Sequence, residues 1–253
     1  MVLRGQPVGE QGAADRWAAL RGASPGSAGG LRAPFFHADF RMFRNVGLSM
    51  YSIFLIGNIA SGKSSAASYL ERRGARRIDL DAVCKNMYVA GAAIVDDLAE
   101  EFGLDILSAD GGINTSKLAA HAFVDAESTN RLNSIVHPYV AEYVVQTLLP
   151  AHCCSSLVPE FPLTVVELSV ASEYRDLFPL ADEVLAISAP EDVRRDRAIS
   201  RGLNPVDVDR RMSVQPNEHD LLSLATTVIV NDGSEAALYE KLEAWLRERS
   251  INL

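Results

Sequence analysis

The chain has 253 residues, of which 48% are hydrophobic, with a formal net charge of −9. That length suits one α/β domain with small insertions and ample material for a core. No apolar run reaches the roughly 18 residues of a membrane span, and the acidic balance argues against a general nucleic-acid binder, so neither a membrane nor a nucleic-acid partner is expected.

Residues 1 to 50 differ from the rest. Six arginines, Arg4, Arg16, Arg21, Arg32, Arg41 and Arg44, stand against three acids, Glu10, Asp15 and Asp39. Gly, Ala, Pro and Ser crowd positions 22 to 34. An arginine-rich, acid-poor leader can resemble an organelle transit peptide. The composition supports no packed element, so a disordered extension, or a start upstream of the true one, is the expectation. Met50 stands directly before the first predicted strand, and the folded domain is expected over residues 51–253.

Tyr51-Ser52-Ile53-Phe54-Leu55-Ile56 is apolar, β-branched and aromatic, and short enough for a buried strand. Gly57-Asn58-Ile59-Ala60-Ser61-Gly62-Lys63-Ser64 follows, the G-x-x-x-x-G-K-S pattern of a phosphate-binding loop. Ser65 to Arg73 carries helix formers and ends at Gly74. The residue types suit the chemistry. Backbone N–H groups must approach a polyphosphate closely, which glycine permits, and a helix starting near Lys63 adds its positive end. Lys63 is placed to reach the β- and γ-phosphates of ATP, and the Ser64 hydroxyl to ligate Mg2+. The bland alternative is a glycine-rich turn with a chance lysine.

Ala75 to Asp81 reads as a short strand ending in two acids, Asp79 and Asp81, which at period 2 face the same way. Carboxyl ends of parallel strands line the ligand crevice of an α/β sheet. Carboxylates there can hold metal-bound water, bond a sugar or take a proton; Asp81 can equally cap a helix. Helices are predicted over 91–102 and 115–124. A third carries Leu132, Ile135, Val136, Tyr139, Val140, Tyr143, Val144 and Leu148 on one face. Pro138 falls inside it, so a break between two helices is expected at His137. A histidine there can be a cap or a surface residue as readily as a binding one.

Ala151 to Pro162 reads as a loop and Leu163 to Leu168 as a central strand. Glu167 near its end either orients Mg2+ through water, as a Walker-B acid does, or only rims the cleft. Glu183 to Ser188 is the next strand. Pro190 opens a helix with Glu191 and Asp192 in its first turn, leading into Arg194, Arg195, Arg197 and Arg201. Asn204-Pro205 caps another, bearing Arg210 and Arg211. Such arginines form either a solvated face or a phosphate-binding lid over about 190–215. Thr226 to Asn231 is the last strand, and Ser234 caps a closing helix with Leu238, Leu242, Trp245 and Leu246 on its buried face. The fold expected is a three-layer α/β/α P-loop sandwich with a parallel sheet and a helical insertion over about 85–150. Cys84, Cys153 and Cys154 are too few and too badly spaced for a disulfide framework or a zinc site. Reduced thiols in a cytoplasmic protein are expected.

Taken together, G-N-I-A-S-G-K-S at 57–64, I-D-L-D at 78–81, Leu132-Asn133-Ser134-Ile135-Val136-His137-Pro138, Arg197-Ala198-Ile199-Ser200-Arg201, Arg211-Met212-Ser213-Val214-Gln215 and Val228-Ile229-Val230-Asn231-Asp232-Gly233 resemble the dephospho-coenzyme A kinase family of P-loop enzymes. The resemblance runs from about 51 to 246. It implies ATP-dependent phosphorylation of the ribose 3′-hydroxyl of dephospho-coenzyme A. It implies Asp81 as the base, with Lys63 and Arg197 in catalysis. It places Gly57, Asn58, Ile59, Ala60, Ser61, Gly62, Lys63, Ser64 and Ser65 on ATP, with Arg197 and Arg201 in the lid and Asn231 near the adenine, and Asp79, Lys85 and His137 with Asp81 on the acceptor. A monomer or weak homo-oligomer acting on a small molecule is expected. The chain departs from the family where a strand that usually ends V-P-L-L ends Val166-Glu167-Leu168-Ser169, where an arginine is replaced near Thr115, and at Leu221 and Thr226. Two other readings stay open: another small-molecule or nucleotide kinase of the P-loop class, and a nucleotide-binding protein without turnover.

Overall fold

The computed structural model describes residues 51–148 and 161–253. The expectations for residues 1–50, for the loop from Ala151 and for Cys153 and Cys154 lie outside the described residues. Strand β1 (Tyr51–Ile56) leads through the glycine-rich loop into helix α1 (Lys63–Arg73), which stops at Gly74 in the left-handed conformation, φ 115°. Strand β2 (Arg76–Asp79) passes directly into α2 (Leu80–Met87). Helices α3 (Ala93–Phe102), α4 (Thr115–Ala122) and α5 (Ala126–Leu148) form the expected insertion. After β3 (Leu163–Glu167) and a 3₁₀ segment (Ala171–Leu180) come β4 (Glu183–Ser188), α6 (Glu191–Ser200), α7 (Pro205–Ser213), α8 (Glu218–Leu222), β5 (Thr227–Val230) and α9 (Glu235–Glu248).

All five strands are parallel, in the order β2-β3-β1-β4-β5. Because β1 is followed across the sheet by β3 on one side and β4 on the other, the loop after β1 opens at the switch point where ligands enter such sheets. The period-2 alternation of β1 decides the layers. Phe54 and Ile56 join a core with α2–α5, while Ile53 and Leu55 join one with α1 and α9. This is the three-layer sandwich. Cys84 is a free thiol, and burial pushes it up to about 11.

Three expectations are corrected. The strand does not run to Asp81. The Asp79 side chain accepts from the N–H groups of Asp81 at 3.0 Å and Ala82 at 3.2 Å, which starts α2 at Leu80. Asp79 is therefore the cap and Asp81 lies in the first helical turn, so the period-2 argument for their common direction fails. Nor does the chain break at His137, because α5 runs through Pro138. The proline withholds one donor, the one due to the Ser134 carbonyl. Leu132, Val136, Val140, Val144 and Leu148 are all buried at a four-residue spacing, and an unbroken helix keeps that stripe in the core. Pro190 is also the cap of α6 rather than its first residue.

Candidate active site

The glycine-rich loop is fitted tightly against its supports. A Cβ on Gly57 would lie 2.6 Å from Ser61 Oγ and 2.7 Å from the Ile187 carbonyl oxygen. Gly62 has φ 100° and abuts the Asn231 amide. Ala60 also adopts a left-handed backbone, φ 58°, a conformation that costs about 1 kcal/mol in a residue with a Cβ. Two left-handed residues two positions apart fold the loop tightly, and backbone N–H groups in such turns form concavities that suit an anion. α1 then begins at Lys63 and adds its positive end.

Lys63 is buried, and its Nζ donates to the Leu168 carbonyl and, at 3.2 Å, to Ser169 Oγ. Burial lowers its pKa from the ordinary value, while Glu167, Asp81 and Asp79 act against that. Ser64 Oγ donates to Glu167 Oε1 at 2.7 Å, and the Arg77 guanidinium holds Glu167 Oε2 at 2.7 Å. Glu167 itself is buried and pairs in register with Asp79 on β2 and Leu55 on β1. Ser169 Oγ donates to Asp81 Oδ2 at 2.6 Å. Lys63, Ser64, Asp79, Asp81 and Glu167 thus meet at the carboxyl ends of β1, β2 and β3.

A cavity of about 530 Å³ lies over the loop. Its walls include Gly57, Asn58, Ile59, Ala60, Gly62, Lys63, Ser64 and Ser65, with Ser169, Arg201, Arg211 and Gln215 opposite. A second cavity of about 480 Å³ shares Asn58 and Gln215 with it and extends along Ser188, Pro190, Arg194 and Glu218. Gln215 Oε1 accepts from the Ile59 N–H at 2.9 Å, so the segment after α7 already touches the loop. Sequence reasoning quoted Gln215 only as part of a motif and assigned it nothing. Ser169 and Arg77 were also without a role. The two-residue spacing from Glu167 to Ser169 at a strand end was the available signal for Ser169.

Two of the other predicted residues, Asn231 and Arg197, are placed differently from expectation. Asn231 is buried behind the loop, where its amide donates to the Ser61 carbonyl at 2.8 Å; it braces the loop and does not line either cavity. Arg197 donates to the carbonyls of Asn231 at 2.9 Å and Gly233 at 2.8 Å, so it ties α6 to the end of β5 and faces neither cavity. Of the arginines in this region, Arg201 and Arg211 reach the loop cavity. His137 stacks on Tyr174, ring centroids 5.3 Å apart, and its Nε2 lies 3.1 Å from Asp176 Oδ1. Lys85 is exposed in the last turn of α2.

Among the described residues no cluster of three or more His, Cys, Asp or Glu could hold a metal by itself. The Ser64 hydroxyl and the Glu167 carboxylate nevertheless offer hard oxygen donors, which fits Mg2+, an ion that fills its remaining positions with water and substrate phosphate oxygens.

A family model described as dephospho-CoA kinase matches residues 51–237. The chain belongs to the dephospho-CoA kinase family. It is 37% identical over 187 residues to a dephospho-CoA kinase of Corynebacterium efficiens, spanning 73% of this chain and 90% of the relative. It is 30% identical over 199 residues to one from Dechloromonas aromatica, spanning 78% and 92%. The solved structure of TT1252 from Thermus thermophilus shares the fold with a TM-score of 0.62 at 28% identity, over 78% of this chain and 97% of that one. The dephospho-CoA kinase family is the one the motifs resembled, and its kinases use ATP as phosphoryl donor.

Proposed function

We propose that this chain transfers the γ-phosphoryl group of ATP to the ribose 3′-hydroxyl of dephospho-CoA, giving CoA and ADP. One observation carries the reading beyond family membership: a single hydroxyl, that of Ser169, joins the loop lysine to the acceptor-side carboxylate. Donor and acceptor groups therefore meet at one point.

Phosphoryl transfer asks the protein for positioning and charge neutralisation more than for covalent help. The loop N–H groups and the start of α1 cradle the phosphates, with the nucleoside half in the neighbouring cavity along Ser188 and Glu218. Lys63 leaves the Leu168 carbonyl for the β- and γ-phosphates, and Arg201 and Arg211 offset the remaining charge from the opposite wall. Ser64 and Glu167 would hold Mg2+, which supplies charge neutralisation across the phosphate oxygens when bound. Arg197 fixes the loop after β5 in this reading and does not touch phosphate.

On the acceptor side, Asp79 Oδ1 is committed to the cap of α2. Asp81 is in the first turn and takes the proton from the attacking hydroxyl. His137, oriented by Tyr174 and Asp176, and Lys85 at the far end of α2 seat the rest of the acceptor. The protein works as a cytoplasmic monomer or weak homo-oligomer in this account. The test is ADP release from purified protein with ATP and Mg2+ across an acceptor panel of dephospho-CoA, nucleoside monophosphates and shikimate. Release that depends on dephospho-CoA is expected, and release dependent on another acceptor alone would overturn the assignment.

A further inference from the structure

The hydroxyl of Ser169 stands between a cation and a carboxylate, and the chemistry of the three groups fixes the direction of both bonds. Lys63 Nζ can only donate and an ionised Asp81 can only accept, whereas a hydroxyl has one donor and two acceptor sites. The chain of bonds therefore runs Lys63 Nζ to Ser169 Oγ at 3.2 Å and Ser169 O–H to Asp81 Oδ2 at 2.6 Å. Ser169 follows the last residues of β3 and lies on the wall of the loop cavity. Its backbone is placed by the sheet, because the Leu168 N–H donates to the Leu55 carbonyl at 3.0 Å. Asp81 by contrast projects from the first turn of α2, and the cap there is provided by Asp79. Among the described hydrogen bonds, Asp81's carboxylate has Ser169 as its side-chain partner.

We infer that Ser169 is a positioning residue for Asp81: its hydroxyl pins Oδ2, fixes the rotation of the carboxylate and leaves Oδ1 turned to the acceptor. The inference rests on the phosphoryl-transfer reading. In that step the acceptor oxygen forms its bond to the γ-phosphorus as the bond to ADP breaks, and the acceptor proton passes to Asp81. A carboxylate free to rotate would spend part of its time with neither oxygen aligned, which lowers the rate without weakening substrate binding. When Lys63 moves to the phosphates, the Ser169 O–H remains on Asp81, because that bond does not depend on the lysine.

The experiment measures kcat, both KM values and Tm for Ser169→Ala and Ser169→Thr, each in the native background and with Asp81→Asn, using radiolabelled ATP and dephospho-CoA. Ser169→Ala is expected to lower kcat roughly 10-fold with both KM values within about 2-fold and Tm unchanged. Ser169→Thr, which keeps the hydroxyl, is expected to restore most of the rate. In the Asp81→Asn background Ser169→Ala should cost nothing further, because residues acting through one another are not additive. An undiminished kcat for Ser169→Ala would overturn the inference. So would an equal fold-loss in both backgrounds, or a loss confined to KM or Tm. If Asp81→Asn alone loses no rate, the assignment of the base falls and the inference with it. If Asp81→Asn is crippled while Ser169→Ala is normal, only the inference falls.

Discussion

Asp81 accepts from Ser169 but does not cap its helix. Asp79 caps α2, so replacing Asp81 leaves the helix start intact. Asparagine keeps the size and can still bond to Ser169, but it cannot take a proton. Asp81→Asn is expected to lower kcat by roughly 10²–10⁴-fold, with Tm and ATP affinity close to those of the native protein by calorimetry. A kcat within a few-fold of native would mean that Asp81 only positions the acceptor. The pair of acids was legible from I-D-L-D, but their division of labour was not. The two acids lie two residues apart, and which one the backbone N–H groups select as the cap depends on where the strand yields to the helix.

At the scale of elements, the glycine-rich loop was legible because four fixed residues sit between an apolar strand and a helix. The left-handed Ala60 was not, since nothing about an alanine announces positive φ. The arginines of α6 show the same limit. Arg194 is buried with its Nε on the Ala189 carbonyl, Arg195 pairs with Asp209, and Arg197 serves the end of β5. The charge run was visible, but which arginine meets the cavity depends on how the helix is rotated against the sheet. The end of β3 carries the prediction at this scale. Glu167 accepts from Ser64 while Arg77 occupies its other oxygen. Glu167→Gln should raise the Mg2+ concentration for half-maximal nucleotide binding by roughly 10-fold, read by fluorescence titration with a labelled ATP analogue. An unchanged Mg2+ requirement would reduce Glu167 to a packing partner of Arg77.

For the molecule as a whole, β1, β3, β4 and β5 were visible as short apolar, β-branched runs, β2 only as a short stretch ending in acids, and the closing helix from its apolar period. The order of the strands was not, because β3 enters between β1 and β2 only after a long, mainly helical stretch of the described residues, and no local pattern encodes that return. Leu221 is buried in the core, and Thr226 pairs its hydroxyl with the backbone of Val184 at the foot of β5. The sheet and the last helix are joined at Glu183, which is buried and accepts from Arg249 at 2.7 Å, Tyr51 at 2.7 Å and Trp245 at 3.2 Å. Burial acts to raise its pKa, but these bonds prevail and hold it below the ordinary carboxylate range. A lowered folded-state pKa gives stability that is complete above the unfolded value and fades as pH falls through the folded one. Glu183→Gln should therefore lower stability at pH 7 by on the order of 3 kcal/mol, roughly 6–12 °C in Tm. The gap to native should narrow below about pH 4.5, the ordinary value from which Glu183 departs. Scanning calorimetry of both proteins from pH 7 to pH 3 checks this, and a gap that stays constant or widens in acid would contradict it.

In the proposed function the Lys63 loop and the Asp81 carboxylate work together to phosphorylate one particular hydroxyl. Phosphorus NMR of the product formed from ATP, Mg2+ and dephospho-CoA tests it most directly, with Lys63→Ala run in parallel. A new phosphomonoester coupled to the ribose 3′ proton is expected with the native protein, and no such signal with Lys63→Ala, where the phosphate charge is left unneutralised. A phosphoryl group on any other oxygen, the absence of product with the native protein, or undiminished product from Lys63→Ala would contradict it.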